Sequence, residues 1–416
     1  MPIHQQSKIG EQCQRMNQEY KDLLRMLKKL AWLLVPMLLL VVVVNYYVDP
    51  GELFYRRQVK HAVAELLLQG HNVLSDAIPS EWGDLQADVI RSFAARRSVP
   101  DVVVWGTSRS SEISQTFFPG EKFFNHAIPG GSVFDYVALY GLYQHLGRLP
   151  GLVIISIDPW TFCGRKAVTI DRTLYFIPDP DKLLDIQPGL ESGLAFGLHQ
   201  IQAVKPRSGS RRMTANIRRV GNLLSLTYFQ SALKNWRLRR PQSTEKDSDA
   251  DGFVLRCDGS YAMCRDTAAI QPAIITETAR RFAQVAKGCF LGSSVMVTDN
   301  VEMFRQLVTA LRHGGIGVVF YLAPIHPVAY DLLIQSEPNQ IELFLHDLGT
   351  QQDIPVIGSF NPHVYHLDAD RPWFVDQYHP VRGVVEIIMG VHAHELTQLS
   401  AIYLQPQRTS APSGGR

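Results

Sequence analysis

The sequence predicts an α/β protein with a central parallel β-sheet, preceded by one transmembrane helix and a helical stalk. Short apolar runs alternate with helical patterns from residue 101 onward, as expected for parallel strands joined by helical crossovers. Near the amino terminus, residues 30–48 form an apolar run without a charged side chain, and residues 58–69 place apolar side chains at helical spacing. The chain has 416 residues, 46% of them hydrophobic, so it can bury a sizeable core.

The run from Leu30 to Val48 is interpreted as the transmembrane helix. At the α-helical rise its 19 residues span roughly 28 Å, close to the thickness of a bilayer's hydrocarbon core. A cleaved signal peptide and a buried core helix are the alternatives, but no small-residue cleavage site follows the run, and Tyr46 and Tyr47 are typical of a membrane interface. Lys and Arg are more frequent before the run than after it, which predicts a cytoplasmic amino terminus and an extracytoplasmic remainder, periplasmic or extracellular.

The remaining chain divides into segments of different pattern. Residues 1–29 are predicted to be cytoplasmic, 49–100 to form a juxtamembrane stalk, 101–400 to form the α/β domain and 401–416 to be a disordered tail. Within the domain, the alternation of strands and helices fails between about 164 and 290, which we interpret as an insertion. The predicted strands are 101–106, 122–128, 151–158, 316–323 and 354–358, and the predicted helices are 132–146, 299–312, 338–349 and 380–398.

The insertion carries a basic stretch, Lys205 to Arg240, in which arginines are interleaved with aromatic and aliphatic residues. This stretch could lie on anionic lipid or hold an anionic glycan, or it could be a solvated helix face. The net charge of the whole chain is only +2, which argues against a nucleic-acid binder. Cys257 and Cys264 flank a turn-like stretch that a disulfide could close; separate buried thiols are the alternative, and no zinc pattern surrounds them.

Ser108 ends a Gly-Thr-Ser turn directly after the predicted strand 101–106. Open α/β sheets bind ligands at the carboxyl ends of their strands, so this hydroxyl is expected at the site edge of the sheet. A serine becomes a nucleophile when a histidine can take its proton and an acid orients that histidine. Asp376 and His379 can supply both groups from one loop. Taken singly, Ser108 could start a polar helix and Asp376 could cap one.

Three stretches in this order resemble the SGNH (GDSL-type) hydrolase superfamily. The Gly-Thr-Ser that ends at Ser108 resembles its first block, Asn125 followed five residues later by Gly130 resembles its second, and Asp376-x-x-His379 resembles its closing Asp-x-x-His. The resemblance covers the strand and helix regions before and after the insertion, and it implies an SGNH-like three-layer fold with a central parallel sheet. No glycine stands two residues after Ser108, unlike the nucleophile elbow of α/β-hydrolases.

The resemblance implies a role for each of these groups. Ser108 would attack an acyl carbonyl, His379 would carry the proton, and Asp376 would fix the histidine tautomer and stabilise the imidazolium. Backbone N–H groups of Ser108 and of Gly130 or Gly131 would bind the oxyanion, since glycine permits a close approach.

Four further residues at this edge are candidate substrate-binding groups: Arg109, Asn125, Asp158 and His326. Asp158 stands where the superfamily has an oxyanion-binding asparagine. Four interpretations are open: Asp158 is protonated, it binds another group, the third oxyanion donor comes from elsewhere, or Asp158 simply caps the turn at Pro159. His326 is a structural histidine, a substrate contact or a second proton shuttle. No cofactor and no metal are predicted, because the histidine and aspartate spacings over 363–379 match no closed zinc pattern.

The amino-terminal anchor, the extracytoplasmic domain, the Gly-Thr-Ser block and the terminal Asp-x-x-His are most similar to membrane-anchored proteins that assist acyl modification of cell-surface polymers, among which the D-alanyl transfer protein of teichoic acid modification is the nearest analogue. The resemblance implies a serine esterase or O-acyltransferase that acts on O-acyl groups of an envelope polysaccharide. It also implies a membrane O-acyltransferase as partner. A catalytically inactive scaffold that binds glycan or a partner enzyme is the alternative, and a lipid-directed esterase is a third possibility.

Overall fold

The computed structural model describes residues 3–49, 58–74, 89, 93, 100–145, 147, 149–162, 220–235, 243–244, 254–262, 271–290, 296–334 and 340–409. The chain divides into two compact units. The smaller unit contains residues 1–56 and 207–239, and the larger unit contains residues 57–206 and 240–416.

Strands and helices are numbered in chain order among the described residues. The strands are β1 (Asn72–Leu74), β2 (Val102–Gly106), β3 (Phe123–Ala127), β4 (Leu152–Ile157), β5 (Ser243–Thr244), β6 (Val254–Leu255), β7 (Tyr261–Ala262), β8 (Gly317–Leu322) and β9 (Val356–Gly358). The helices are α1 (Ile3–Val48), α2 (Gln58–Leu68), α3 (Val133–His145), α4 (Leu226–Asn235), α5 (Pro272–Phe290), α6 (Thr298–His313), α7 (Pro327–Leu333), α8 (Gln340–Gln352), α9 (Arg382–Val391) and α10 (Ala393–Thr409).

The larger unit contains a five-stranded parallel sheet in the order β3-β2-β4-β8-β9. The predicted α/β class is therefore confirmed, and each of the five predicted strands agrees with an observed one to within two residues at either end. The chain passes first to one side of β2 and then to the other, so the strand order reverses between β2 and β4. Ligands of open α/β sheets bind at such a reversal, beyond the carboxyl ends of the strands.

Side chains on both faces of this sheet are buried, which explains why its central strands are continuously apolar. Trp105 and Phe320 lie in one apolar cluster with residues of α3, α6 and α8. Val104 and Tyr321 lie in a second cluster, with residues of α9 and α10. Burial of apolar area, at about 25 cal/mol per Å², is the main force that holds these helices on the sheet.

The described part of the predicted stalk packs into the larger unit. Val63 and Leu67 of α2 lie in an apolar cluster with Phe124 and Tyr261. Strand β1 pairs antiparallel with β5 and β6, and β6 pairs with β7, which forms a second sheet in the order β5-β1-β6-β7. Residues from the predicted stalk and from the predicted insertion thus share one sheet. Cys264 lies outside the described residues, so its disulfide with the cysteine at 257 stays a prediction.

The carboxyl-terminal segment is helical further than predicted. The single predicted helix over 380–398 is two helices, α9 and α10, with His392 between them. Helix α10 continues to Thr409, although the sequence predicted disorder from 401. Leu396 and Leu404 explain the difference, because they are buried in the cluster on one face of the sheet. Residues 410–416 lie outside the described residues.

Gly358 ends β9 in a backbone conformation that favours glycine. Its φ is +85°, and a Cβ there would lie 2.1 Å from the Leu322 carbonyl oxygen. Gly120 has a similar φ of +86° but no heavy atom within 4 Å of a built Cβ. We expect Gly120→Ala to lower the free energy of unfolding by about 1–2 kcal/mol through backbone strain, and Gly358→Ala to lower it further through the added clash. Denaturant unfolding compares the two variants, and equal losses would contradict the clash.

The smaller unit is built on α1. Its residues 20–48 form a 29-residue helical stretch that is long and apolar enough to cross a membrane. This agrees with the predicted transmembrane helix by length and composition, while the side on which each terminus lies stays a prediction. Of the predicted basic stretch, residues 220–235 are described and belong to this unit. The rest of that stretch lies outside the described residues.

Candidate active site

Ser108 is the first residue of a short 3₁₀ helix, Ser108–Ser110, that follows β2. Thr107 caps this helix, because its side-chain oxygen accepts a hydrogen bond from the Arg109 N–H at 3.2 Å. The Ser110 hydroxyl donates to the Thr107 carbonyl at 2.9 Å and closes the turn from inside. Thr107, Arg109 and Ser110 are buried, whereas Ser108 is half-buried. The fold therefore presents Ser108 as the accessible hydroxyl of the turn.

The structure brings Ser108, His379 and Asp376 into one chain of hydrogen bonds. Ser108 Oγ lies 2.8 Å from His379 Nε2, across 271 residues of sequence. His379 Nδ1 lies 2.6 Å from Asp376 Oδ2. These distances are those of direct hydrogen bonds, and the acid and the hydroxyl contact opposite nitrogens of the imidazole.

The loop that carries the acid and the base is held by its own backbone. The Val375 N–H donates to the His379 carbonyl and the Val381 N–H donates to the Trp373 carbonyl, each at 2.9 Å. Asp376 Oδ1 accepts the N–H groups of the two residues at 378 and 379, also at 2.9 Å. One carboxylate oxygen thus fixes the loop, and the other is directed at the imidazole.

The environment of Asp376 favours its ionised form. Burial by itself would raise the pKa of this carboxyl, but the hydrogen bond and charge of His379, together with two backbone N–H donors, outweigh burial and hold the pKa of Asp376 below its usual value. An ionised Asp376 favours a proton on His379 Nδ1. His379 Nε2 is then the acceptor that faces the Ser108 hydroxyl.

Arg109, which the sequence made a candidate substrate contact, is instead enclosed beneath the site. It is 1% exposed. Its Nε donates to the Tyr378 carbonyl at 2.9 Å, and its Nη2 donates to the Ala323 carbonyl and, at 2.8 Å, to the Pro324 carbonyl. Burial lowers the pKa of Arg109, against the opposing charge of Asp158. The guanidinium therefore joins the Ser108–Ser110 turn, the end of β8 and the loop of His379.

Asp158 is buried beside this guanidinium and does not face an open substrate site. Its Oδ1 accepts from Arg109 Nη1 at 3.2 Å. Its backbone N–H donates to the Thr161 hydroxyl at 2.8 Å, which forms the turn after β4. Burial raises the pKa of Asp158, while the charge of Arg109 acts in the opposite direction. The carboxylate is thus engaged with a cation instead of supplying the amide donor that an asparagine would.

The side chain of Asn125 and the backbone N–H of Gly131 also form hydrogen bonds within the protein. The Asn125 side-chain amide donates to the Ser110 and Ile113 carbonyls, each at 2.8 Å, and its oxygen accepts the N–H of residue 127. The Gly131 N–H donates to the Ile128 carbonyl at 2.8 Å, so this amide is committed to a turn and is not directed at an oxyanion. Gly130 lies in the same turn with a φ of +63°.

His326 is a buried helix cap. It precedes α7, and its Nδ1 accepts the Val328 N–H at 3.3 Å. The backbone N–H of His326 donates to the Gln377 carbonyl at 3.3 Å, which connects His326 to the loop of His379. Burial lowers the pKa of His326 to about 4, so the ring is neutral at pH 7. Of the readings left open by the sequence, the structural one matches these contacts.

The cap predicts a pH dependence of stability. In the unfolded chain a histidine titrates near pH 6.5, above the folded value of about 4 for His326. The unfolded state therefore binds more protons between these pH values. The contribution of His326 to the free energy of unfolding is fully present above pH 6.5 and is lost as the pH falls toward 4. The slope from this residue is at most about 1.4 kcal/mol per pH unit.

Denaturant unfolding at pH 7, 6 and 5 measures this slope. His326→Asn is the matched variant, because asparagine is a good helix cap without a titration in this range. We expect a shallower fall in the free energy of unfolding for His326→Asn than for the wild type. Parallel pH profiles for the two proteins would contradict the assignment.

Residues 254–262, which were predicted to belong to the insertion, contact residues that surround the Ser108–Ser110 turn. The Asp258 carbonyl accepts the Asn125 N–H at 2.8 Å, and the Tyr261 N–H donates to the Ser111 carbonyl at 2.9 Å. Arg256 forms a buried ion pair with Glu112 at 3.1 Å. The Asp-Gly-Ser turn at 258–260 was visible in the sequence, but its distant partners were not.

The Tyr378 ring packs beside His379, and two further rings pack against Tyr378; sequence reasoning missed this cluster. The ring centroid of Tyr378 lies 4.4 Å from that of His379. Trp160 and Phe282 contact Tyr378 with centroid separations of 5.5 and 5.4 Å. Trp160, Phe282 and Tyr378, hereafter the aromatic wall, are half-buried. The only sequence signal for the wall was that Trp160 follows a strand end and Tyr378 stands inside the Asp-x-x-His loop.

This arrangement joins a half-buried hydroxyl, a histidine that can accept its proton and an ionised acid, with apolar rings at one side. Such a set can activate a serine for attack on a carbonyl carbon. Among the described residues, no group of three or more His, Cys, Asp or Glu side chains could hold a metal ion. Comparison with protein-family models and with curated protein sequences finds no match for this chain.

Proposed function

We propose that this protein is a membrane-anchored, extracytoplasmic serine esterase or O-acyltransferase of the SGNH type, acting on O-acyl groups of a cell-envelope polysaccharide. The observation that carries the proposal is the hydrogen-bonded chain of Ser108, His379 and Asp376, with separations of 2.8 and 2.6 Å. Its location at the carboxyl end of β2, where the strand order reverses, supports a ligand-binding role.

The proposed reaction has two steps through an acyl-enzyme. Ser108 Oγ attacks the acyl carbonyl carbon while its proton passes to His379 Nε2. The tetrahedral intermediate collapses, and the departing alcohol takes that proton. In the second step an acceptor hydroxyl gives its proton to His379 Nε2 and attacks the acyl group, and Ser108 leaves and regains the proton. Water as acceptor gives an esterase, and a sugar hydroxyl gives a transferase.

The oxyanion of each intermediate needs hydrogen-bond donors. The Ser108 N–H is the first amide of its 3₁₀ helix, so the helix itself offers it no acceptor. It is therefore the donor that we assign. The Gly131 N–H is committed to the Ile128 carbonyl, and the Asp158 carboxylate faces Arg109. A site with one assigned donor favours slow turnover, because each such donor contributes about 10²–10³ in rate.

A glycan acceptor and a membrane partner are the remaining parts of the proposal. The aromatic wall offers ring faces beside the imidazole, and apolar ring faces suit the C–H faces of sugars. The membrane-spanning capacity of α1 favours an acyl donor delivered at the membrane, with a membrane O-acyltransferase as its source. The inactive scaffold is the second candidate, and the observation in its favour is that Asp158 replaces the family's asparagine with a group that cannot donate.

Labelling of the full-length protein in detergent with a fluorophosphonate tests the proposal. We expect one covalent adduct, on Ser108, found by peptide mass spectrometry. Ser110→Ala is the matched control, because Ser110 lies in the same turn but directs its hydroxyl at the Thr107 carbonyl. It should be labelled like the wild type. A folded protein without an adduct on Ser108 would favour the scaffold.

Hydrolysis and transfer are separated with p-nitrophenyl acetate in the presence of increasing oligosaccharide. A transferase should release p-nitrophenol faster as the sugar concentration rises and should acetylate the sugar. A rate that is independent of sugar, with acetate as product, would identify an esterase.

A further inference from the structure

The smaller unit contains a helical segment, residues 220–235, that is fastened to the carboxyl-terminal end of α1. Asn45 of α1 is fully buried, and its side-chain amide donates to the carbonyls of Asn222, Leu223 and Ser225 at 3.1, 2.9 and 3.1 Å. The Tyr228 hydroxyl donates to Asp49 at 2.7 Å. Hydrogen bonds to Asn45 and to Asp49, four residues apart in the sequence, therefore hold this segment beside the end of α1.

The hydrogen bonds from Asn45 explain how the chain can turn between residue 223 and the start of α4. Residues 220–223 are helical, and Ser225 then begins α4 by accepting the Tyr228 N–H on its hydroxyl at 3.2 Å. A helix that stops leaves its last carbonyls without intrahelical N–H donors. The Asn45 amide supplies donors to those carbonyls. A polar side chain near the end of an apolar helix thus has a defined partner within the same unit.

The sequence of α1 indicates the depth of residues 220–235 relative to the membrane. Asn45 lies three residues before the end of α1 at Val48, about 5 Å along the axis, and it follows an uncharged apolar run. If α1 spans the membrane, residues 45–49 lie at the membrane–water interface, where Tyr46 and Tyr47 are also favoured. The segment bonded to Asn45 and Asp49 lies at the same depth.

The segment exposes apolar side chains at that depth. Leu226 and Leu233 of α4 are 67% and 53% exposed and lie seven residues apart, on one face of the helix. Tyr228 and Ala232 lie on the other face, and Ala232 is buried. Val220 and Leu224 are also exposed. In the sequence from 205 to 240 there are ten Lys and Arg residues and no Asp or Glu. An exposed apolar face with cationic flanks, held at the interface, is typical of a helix that lies in the lipid headgroup region.

We propose that residues 220–235 form a membrane hook, an interfacial segment that inserts Leu226 and Leu233 into the leaflet where α1 ends and binds its anionic headgroups. This inference rests on the membrane anchoring in the proposed function and is independent of the chemistry at Ser108. The hook adds a second attachment to the single helix and fixes the rotation of that helix about its axis.

Photo-crosslinking of the full-length chain in vesicles tests the hook. A benzophenone amino acid is placed at Leu226, Leu233, Thr227 or Leu38, one site at a time, in phosphatidylcholine vesicles with and without one quarter phosphatidylglycerol. Thr227 is the matched control because it is exposed on the same helix but faces about 100° away from Leu226. Leu38 lies within the apolar run and reports whether α1 is in the bilayer.

We expect lipid adducts at Leu226 and Leu233 that exceed those at Thr227 at least fivefold and rise with phosphatidylglycerol, with a constant yield at Leu38. Asn45→Ala should reduce the adducts at Leu226 and Leu233 and leave Leu38 unchanged. Adducts at Leu226 only with protein would overturn the hook in favour of a partner surface. Equal yields at Leu226, Leu233 and Thr227, or yields independent of phosphatidylglycerol, would also overturn it.

The same samples separate this proposal from the proposed function. Loss of lipid adducts at Leu226 and Leu233, with Leu38 still labelled and Ser108 still reactive to fluorophosphonate, would reject the hook alone. No adduct at Leu38 would reject both the hook and the membrane anchor. Lipid adducts at Leu226 in a protein whose Ser108 is unreactive would support the hook and reject the esterase.

Discussion

Replacing Ser108 with alanine is expected to lower turnover of p-nitrophenyl acetate by about 10⁴-fold or more, to the rate that binding alone supports. The Ser108 hydroxyl lies 2.8 Å from His379 Nε2 and is the accessible hydroxyl of its turn. The alanine variant retains the backbone amide but has no atom to form the acyl-enzyme. Steady-state rates of the full-length protein in detergent measure the change.

His379→Ala should reduce the same rate by a similar factor, because the nucleophile and its base act as one unit and their losses do not add. The double variant should therefore be no slower than either single variant. Ser110→Ala is the control: it removes one hydrogen bond inside the turn, about 1 kcal/mol, and leaves the nucleophile in place. Full activity of Ser108→Ala, or multiplicative losses in the double variant, would reject this triad.

Replacing Arg109 with methionine is expected to lower the free energy of unfolding of the larger unit by about 3–5 kcal/mol. The Arg109 and Asp158 side chains are 0% and 1% exposed, and the ion pair between them is 3.2 Å long. Removal of the cation leaves a buried carboxylate without its partner, and it also removes donors from the carbonyls of Tyr378, Ala323 and Pro324. Denaturant unfolding, followed by circular dichroism, measures the loss.

The double variant Arg109→Met, Asp158→Leu is the matched comparison. It removes both charges, so it should be more stable than Arg109→Met although it contains one more substitution. Equal or greater loss in the double variant would show that the three carbonyl contacts, and not the buried charge, dominate.

The ion pair of Arg109 and Asp158 is also expected to position His379, the proposed general base. Arg109 Nε holds the Tyr378 carbonyl, next to His379, at 2.9 Å. Asp158→Leu removes the charge of the side chain without supplying an amide donor, so the guanidinium should shift. We expect a lower kcat with little change in KM, since a displaced imidazole affects the reaction more than ground-state binding. An unchanged kcat would reject this positioning role.

The sheet and the three residues of the candidate site could be predicted from the sequence because their signals are local. A buried parallel strand favours an apolar run, and each of the five runs predicted between 101 and 358 forms a strand of the parallel sheet. Ser108 follows one of these strands directly, and Asp376 and His379 share a short loop. Their meeting across the sheet follows from parallel topology, which brings the carboxyl ends of the strands to one edge.

The sequence misassigned the polar residues around this site because their partners are distant in the chain. Arg109 and Asn125 were candidate substrate contacts, yet Arg109 binds carbonyls at 323, 324 and 378, and Asn125 binds carbonyls at 110 and 113. The pattern of apolar and polar residues along the chain does not indicate which buried carbonyl needs a donor. Hydrogen-bond satisfaction in the interior is decided only when the elements pack.

The sequence by itself determined the parallel sheet, the apolar helix near the amino terminus, and the order of the candidate residues Ser108, Asp376 and His379. Each of these depends on residues that are close in the chain, where hydrophobic periodicity and turn chemistry act. Only the tertiary structure decided that residues 72–74, 243–244, 254–255 and 261–262 form a second sheet and that 220–235 contacts the end of α1. Short strands and polar anchors have little local preference, so they are fixed by the distant partners that satisfy their hydrogen bonds and cover their apolar side chains.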